Sequence, residues 1–189
     1  MFVKYSKISK LSSLALAALL VVGISPAFAS GSHEIKNSNV HAATMPIGTA
    51  GKADDVSRTI QISMKDNFFS PENIQIKEGE TIRFIIKNEG ELVHEFSIGT
   101  AAMHAAHQQE MSAMVEHGAL ELDKINQVMM KMDMGDGNTM EHKDPNSALI
   151  EPSKTAEIIW KFSKNSKLEI ACNVPGHYQS GMIGRVQFN

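Results

Sequence analysis

The chain has 189 residues, 42% of them hydrophobic, and a formal net charge of −3. This length is enough for about one domain with its own core, and the acidic balance makes nucleic acids and anionic membrane surfaces poor partners. Cys172 is the only cysteine, which excludes an internal disulfide.

The N-terminus has the pattern of a secretory signal peptide. Three lysines in the first ten residues precede an apolar run at 11–24 and the small-residue cleavage motif Ala27-Phe28-Ala29. We predict a signal peptide at 1–29, with an uncleaved anchor as the alternative. Cleavage leaves 15 basic residues against 21 acidic ones, a formal charge of −6. The mature protein is therefore expected to be exported and acidic.

Residues 30–55 contain many small and polar residues and few large apolar ones, which is typical of a flexible leader. From residue 56 onward, short runs alternate apolar and polar residues between Gly, Asn and Pro turns. These runs predict strands at 59–64, 74–77, 81–87, 92–98, 155–162, 167–172 and 184–188. The pattern indicates an all-β domain at 56–189, built as an antiparallel sandwich or barrel.

A segment of different character, about 99–152, interrupts the β pattern. Residues 101–117 lack Gly and Pro and are rich in Ala, Met, Gln and Glu, which predicts a helix that ends at Gly118. A second helix is predicted at about 119–132 from apolar residues at helical spacing. We therefore expect a two-helix insertion in the β-sandwich.

Four residues of the β region carry donor atoms that suit one copper ion. Cys172, His177 and Met182 follow one another at intervals of five residues, and His94 lies on a distant predicted strand. Two imidazoles and a thiolate in a plane, with a long axial thioether, form the ligand set of a type 1, or blue, copper centre. Each residue alone is more commonly structural, as a buried cysteine, a core histidine or a packing methionine. Their combination favours one type 1 copper as the cofactor.

With these residues the chain resembles the cupredoxin family of plastocyanin-, azurin- and rusticyanin-like proteins. The segments that carry the resemblance are 67–81, 88–90, 94–96 and 172–182. It is similar above all to exported bacterial members linked to copper tolerance, which carry a helical insertion before a loop like His142-Lys-Asp-Pro145. The resemblance implies a Greek-key β-sandwich, a type 1 copper at one end and one-electron transfer in the periplasm.

Two departures from relatives of this domain bear on function. Glu95 follows the first histidine, where many cupredoxins have Asn or Ser whose side chain ties the two ligand-bearing segments together. Ala171 and Asn173 flank the cysteine, and the chain has no His-x-His pair, whereas multicopper oxidases and nitrite reductases use such histidines for a neighbouring catalytic copper. We therefore expect a copper protein without an oxidase centre.

The insertion concentrates histidine and methionine. His104, His107, Met111 and Met114 fall on one face of the first predicted helix. Thioethers prefer Cu(I), and imidazoles bind either oxidation state, so one hypothesis is a second, weaker copper site or a docking surface for a copper donor. The alternative is a methionine face that packs between helices or against the sandwich. The candidate auxiliary ligands are His104, His107, Met111, Met114, Met130, Met132 and Met134.

Two functions fit these features. The first is copper tolerance and homeostasis in the periplasm, with Cu(I)/Cu(II) cycling and at most a weak oxidation of Cu(I). The second is a soluble blue-copper carrier between respiratory redox partners, which would dock beside His177 at Val174, Pro175 and Met182. The expected partners are copper ions and a periplasmic redox protein or copper donor. We expect a monomer without stable membrane insertion and without nucleic-acid binding.

Overall fold

The computed structural model describes residues 47–189, except 136, 138 and 164–166. The predicted signal peptide and residues 30–46 of the predicted leader lie outside the described residues. The strands are β1 (Gly48–Ala50), β2 (Arg58–Lys65), β3 (Phe68–Ser70), β4 (Asn73–Ile76), β5 (Thr81–Asn88), β6 (His94–Gly99), β7 (Ser147–Ile150), β8 (Thr155–Phe162), β9 (Glu169–Ala171) and β10 (Ile183–Phe188). The helices are α1 (Ala101–Glu116) and α2 (Gln127–Met130), and a single 3-10 turn covers Ala53–Asp55.

The strands form two five-stranded sheets, in the orders β1-β8-β5-β2-β3 and β4-β10-β9-β6-β7. This arrangement confirms the predicted β-sandwich with a two-helix insertion. The expectation of purely antiparallel sheets is wrong for two pairs, because β2 runs parallel to β5 and β4 runs parallel to β10. Strand β4 crosses to the second sheet before β5 returns to the first, and such a crossover lets neighbouring strands run in the same direction.

The two sheets enclose one apolar core. On β5 most alternate positions are buried, as expected for a strand with one face on the core. Phe84 of β5 lies 5.3 Å from Phe96 of β6, measured between ring centroids, and Trp160 of β8 is 1% exposed. Burial of each large apolar side chain contributes about 1.5–3 kcal/mol, so these residues anchor the strands that carry the metal-site residues.

The folded domain begins before residue 56, earlier than the sequence predicted. Strand β1 pairs with β8, and the carbonyl of the buried Ile47 accepts a 3.3 Å hydrogen bond from Trp160. Gly48 has a φ of +137°, and a Cβ there would lie 2.6 Å from the Trp160 indole nitrogen. Only glycine therefore allows this approach. Because the strand is so short and contains glycine, its sequence pattern resembles that of a linker.

Helix α1 has the bounds that its composition predicts. The Thr100 side chain caps its N-terminus by accepting a hydrogen bond from the Met103 N–H, and Gly118 follows its end with a φ of +70°. None of the helices in the described part of the chain is long and apolar enough to cross a membrane.

The second helix exists, but it is much shorter than predicted. Residues 119–126 fold back as a tight loop, in which Leu120 pairs with Ile125, and the Asn126 side chain then caps α2. Leu122, part of the predicted apolar stripe, is 79% exposed. The cap at Asn126 starts the helix late, because its side chain accepts from the N–H groups of Val128 and Met129.

Strand β7 was not predicted, since it lies within the segment assigned to the insertion. It pairs with β6 from His94↔Ile150 to Ser97↔Ser147. The loop between β6 and β7 therefore contains both helices and returns to the strand that begins with His94. This return brings the insertion beside the predicted copper ligands.

Candidate metal centre

Three of the four predicted copper ligands converge at one end of the sandwich. His94 is the first residue of β6, Cys172 directly follows β9, and His177 lies in the loop from β9 to β10. The Cys172 Sγ lies 3.4 Å from His177 Nδ1 and 3.9 Å from His94 Nδ1, and the two Nδ1 atoms are 3.1 Å apart. Ligands placed 2.0–2.3 Å from one metal in a trigonal plane are about 3.5–4 Å apart. The two sulfur–nitrogen distances lie close to this range, whereas the distance between the two imidazole nitrogens is shorter. The three side chains therefore come near the spacing of a type 1 copper site.

The site is enclosed by protein on nearly every side. His94 and Cys172 are fully buried, while His177 is partly exposed and presents the imidazole edge nearest the surface. Burial lowers the pKa of His94 against the opposing effect of Asp66, and burial together with His94 lowers the pKa of His177. Both imidazoles are therefore neutral near pH 7, as metal ligands must be.

The surroundings of the Cys172 thiol oppose its ionisation. Burial, reinforced by the charge of Glu95, raises its pKa to about 12 against weaker backbone hydrogen bonds that favour the thiolate. One of these bonds comes from the Glu95 N–H, 3.3 Å from Sγ. A metal ion at this position would supply positive charge, so copper binding must release the thiol proton.

Met182 is fully buried in the same core cluster as Cys172. Its backbone ties the ligand loop together, because the Met182 N–H donates to the His177 carbonyl at 3.0 Å and the Cys172 N–H donates to the Met182 carbonyl at 3.2 Å. Met182 remains the predicted thioether ligand. Because Met182 is buried, it cannot form part of the docking surface predicted around His177.

Asp66 holds the His94 ring, a role that sequence reasoning missed. It lies with Asn67 in the two-residue turn between β2 and β3, and its Oδ1 is 2.9 Å from His94 Nε2. A carboxylate on the far nitrogen orients a histidine ligand and fixes its tautomer. At Gly90 a Cβ would lie 2.3 Å from Asp66 Oδ1 and 2.9 Å from His94 Nε2, so the contact requires glycine there. The only signal in the sequence was a polar turn residue far from the ligands.

Glu95 is the centre of a second group of polar side chains. Its Oε2 accepts hydrogen bonds from the Asn173 N–H at 3.1 Å and from the Asn173 side-chain amide at 2.7 Å. Glu95 and Asn173 follow His94 and Cys172 directly, so these bonds tie the two ligand-bearing segments. The tie expected from Asn or Ser in other cupredoxins is therefore present here, with Glu95 as the acceptor.

The other oxygen of Glu95 faces the insertion. Oε1 lies 2.9 Å from Nε2 of His107 and 2.9 Å from Nε2 of His142, and it accepts a 2.5 Å hydrogen bond from Ser147. Burial alone would raise the pKa of Glu95, but hydrogen bonds from His107 and His142 hold it well below the usual range. Burial opposes a charged His107, yet Glu110 and Glu95 raise the pKa of this imidazole to about 10. His107 and Glu95 therefore form an ion pair in the metal-free protein.

The structure separates the seven candidate auxiliary ligands. His107 contacts Glu95, whereas the buried His104 lies with Nδ1 3.2 Å from the Asn173 amide nitrogen. Three of the methionines pack in a buried apolar cluster with Val93 and Leu120, and two are 44% exposed. The packed ones are Met111, Met114 and Met130, and the exposed ones are Met132 and Met134. His142 and Glu95, which complete the polar group around His107, were not among the candidates.

An apolar cleft of about 420 Å³ opens beside His177. Residues of the ligand loop, of the insertion and of the loop before β6 line it, and two of them are acidic. Besides His177, its lining comprises Leu92, Val115, Leu120, Glu121, Leu122, Asp123, Val174 and Pro175. Two of the three residues predicted for docking, Val174 and Pro175, line this cleft.

Comparison with known proteins places this chain in one family. Residues 37–116 match the cupredoxin-like domain family. The chain is also 46% identical over 145 residues to the copper-resistant cuproprotein CopI of Pseudomonas aeruginosa, covering 74% of this chain and 80% of that protein. The chain belongs to the cupredoxin family. This cupredoxin is also 35% identical over 150 residues to CopI of Rubrivivax gelatinosus, covering 79% of this chain and 77% of that protein.

Solved structures support the same fold. The dithionite-reduced auracyanin of the photosynthetic bacterium Roseiflexus castenholzii superposes with a TM-score of 0.50 at 20% identity, covering 71% of this chain and 98% of auracyanin. At this identity the likeness shows the fold alone. The copper-resistant cuproprotein relatives, together with the His94, Cys172 and His177 group, support copper as the cofactor.

Proposed function

We propose that this cupredoxin is an exported, periplasmic type 1 copper protein that acts in copper tolerance. Its copper is held by His94, Cys172 and His177 with Met182 as the axial ligand, and it cycles between Cu(I) and Cu(II). The convergence of two imidazole Nδ1 atoms and one buried thiol within 4.8 Å carries the proposal. The relatives named copper-resistant cuproproteins support the physiological role.

The ligand set suits both oxidation states of copper. A thiolate and a thioether favour Cu(I), whereas two imidazoles in a fixed frame also hold Cu(II) with little rearrangement. Hydrogen bonds with Glu95, with Asp66 and within the ligand-loop backbone hold the ligand side chains in place before the metal binds. We propose binding and one-electron exchange at this site, with no oxidase centre.

Copper loading tests the site, and a growth assay tests the role. Wild-type protein should gain the intense visible absorption of a copper–thiolate bond, and Cys172→Ser should lack it. A strain lacking the gene should become sensitive to excess copper, and the wild-type gene but not Cys172→Ser should restore growth. A strain that grows normally in copper would contradict the tolerance role, and a colourless wild-type protein would contradict the site.

The cleft beside His177 favours a second candidate function, an electron carrier between respiratory partners. Electrons would enter or leave through the partly exposed imidazole, and a partner would cover the apolar residues Val174 and Pro175. Loss of respiratory activity in the deletion strain, with unchanged copper tolerance, would support this carrier over the tolerance role.

A further inference from the structure

We propose that Glu95, His107 and His142 form a second metal site, which binds a divalent first-row transition metal ion such as Cu(II) or Zn(II). The three residues come from β6, from α1 and from the loop that precedes β7. Because successive side chains of a strand point to opposite faces, the Glu95 side chain points away from that of His94. The inference rests on the geometry of these side chains and does not depend on the proposed role in copper tolerance.

The three donor atoms form a nearly equilateral triangle. Oε1 of Glu95 is 2.9 Å from each Nε2, and the Nε2 atoms of His107 and His142 are 3.0 Å apart. A cation about 2.1 Å from each atom would lie about 1.2 Å above the plane of the triangle. Two imidazoles and one carboxylate on one face of a metal are a recognised ligand set, which leaves the other coordination positions free.

Hydrogen bonding alone explains this arrangement poorly. For both imidazoles to donate to the same carboxylate oxygen, each Nε2 must carry a proton, and the two N–O directions would be only about 62° apart. The Ser147 hydroxyl also donates to that oxygen, at 2.5 Å. Three donors would then crowd one acceptor while two N–H groups face each other. A single cation in place of the two imidazole protons removes this conflict.

The outer partners of the cluster are those that orient metal ligands. Nδ1 of His107 is 2.9 Å from Glu110 Oε2, one helical turn away, and Asn173 holds the second oxygen of Glu95. Such carboxylate–histidine and amide–carboxylate contacts fix the direction of the metal-binding atoms. The Glu95 side chain is fully buried, and the side chains of His107 and His142 are 14% and 5% exposed. An ion bound by these three side chains would therefore be largely enclosed.

The absence of a sulfur donor from this cluster determines which class of metal ion it suits. The cluster offers two nitrogens and an anionic oxygen, and such donors suit Cu(II), Zn(II), Ni(II) or Fe(II) better than Cu(I). The nearby buried methionines pack with each other in the apolar cluster around Met111. The second site therefore differs in ligand type from the type 1 centre and from a methionine-lined Cu(I) site.

The two centres are joined through two peptide units. Glu95 follows His94 and donates its N–H to the Cys172 sulfur, while Asn173 follows Cys172 and donates to the Glu95 carboxylate. A cation on that carboxylate places positive charge close to the thiolate, which stabilises Cu(I) at the type 1 site. We therefore expect occupancy of the second site to raise the type 1 reduction potential.

Metal titration of the full mature chain tests the site. Wild-type protein, already loaded with type 1 copper, is titrated separately with Cu(II) and Zn(II) by calorimetry, and the Cu(II) samples are examined by electron paramagnetic resonance. We expect a second equivalent of either ion and, for Cu(II), a second signal without the strong blue absorption. His142→Ala should retain the blue absorption, and it should bind the second metal ion about 10–100-fold more weakly than the wild type does.

Two controls separate this site from other copper binding. His117→Ala removes an exposed histidine at the end of the same helix, and it should bind both equivalents as the wild type does. Cys172→Ala should lose the blue absorption but retain the second Cu(II) signal, so failure of the second site and failure of the type 1 site are distinguishable.

Crystals of the wild-type protein soaked in Zn(II) provide a test that needs no variant. An anomalous peak within bonding distance of Glu95, His107 and His142 is the expected result. The proposal is overturned if the Zn(II)-soaked crystals show no peak there, or if His142→Ala binds the second equivalent as tightly as the wild type does.

Discussion

Removal of the Asp66 carboxylate should weaken copper binding although Asp66 does not touch the metal. Its Oδ1 lies 2.9 Å from His94 Nε2, on the side of the ring opposite the atom that faces Cys172. Loss of such an outer partner typically costs 10–100-fold in metal affinity. For Asp66→Ala we expect a loss in this range, equivalent to about 1.4–2.7 kcal/mol. Asp66→Asn retains an acceptor oxygen and should lose less.

The same carboxylate also accepts hydrogen bonds from the backbone N–H groups of Glu91, at 3.1 Å, and Leu92, at 3.3 Å. Part of the effect of Asp66→Ala therefore reflects a looser loop before β6. Hydrogen bonds to a charged group contribute about 1.5–3 kcal/mol each, and bonds at this exposed site should fall at the low end. Urea unfolding of the metal-free variants measures this part separately.

Competition for Cu(I) with a chromophoric chelator measures the affinity. Glu89→Ala is the matched control, since Glu89 is a nearby carboxylate that accepts a 2.6 Å hydrogen bond from Ser63 and has its ion pair with Lys87. It should bind copper as the wild type does. The orienting role of Asp66 would be refuted if Asp66→Ala bound Cu(I) within about twofold of wild type.

Three further results are expected. Because the Cys172 pKa is about 12, copper displaces a proton, and the apparent affinity should rise about tenfold per unit as pH increases from about 7 to 10. In metal-free protein, His107→Ala leaves the buried Glu95 carboxylate with less compensation and should lower the unfolding free energy by about 3 kcal/mol. Adding Glu95→Gln to the His107→Ala variant should recover part of the lost unfolding free energy. Met111→Ala should destabilise by about 2–5 kcal/mol without changing copper content, because Met111 is fully buried in an apolar cluster.

Each of these results has its own check. Calorimetry in buffers of different ionisation enthalpy counts the released proton, and an affinity independent of pH would contradict a thiol ligand. Urea unfolding in the presence of a metal chelator measures the stability changes of His107→Ala and Met111→Ala. If Glu95→Gln lowered the unfolding free energy of the His107→Ala variant further, the buried-charge explanation would be contradicted. Met132→Ala, at a 44% exposed position, should change stability by less than about 0.5 kcal/mol.

Sequence alone suffices to propose the ligand set, because its signal is local and chemically specific. Cys172, His177 and Met182 lie in one loop, and only His94 had to be found on a distant strand. The longer strands were found for a similar reason, since alternation over six to eight residues is a strong signal. Asp66 and His142 carry no such pattern. Their roles arise from long-range contacts that depend on the turn after β2 and on the path of the insertion.

The second helix shows how a periodic pattern can be overridden. Apolar residues from 122 to 132 have helical spacing, yet Leu122 is exposed and its carbonyl accepts a hydrogen bond from Val93. This segment thus supplies the acceptor for a backbone N–H of the loop before β6. Asn126 then begins a helix of only one turn. Local propensity could not predict this result, because the competing partners lie about 30 residues away in sequence.

Glu95 and the insertion depend on each other physically. A carboxylate at this buried position, directly after a copper ligand, would be an uncompensated charge in a sandwich with no insertion. Here His107 and His142 supply the compensation, and both belong to the insertion. In return, Glu95 fixes α1 and the loop before β7 against the ligand-bearing strands. The Glu at this position and the helical insertion therefore form one structural unit, which places a potential metal site next to the type 1 thiolate.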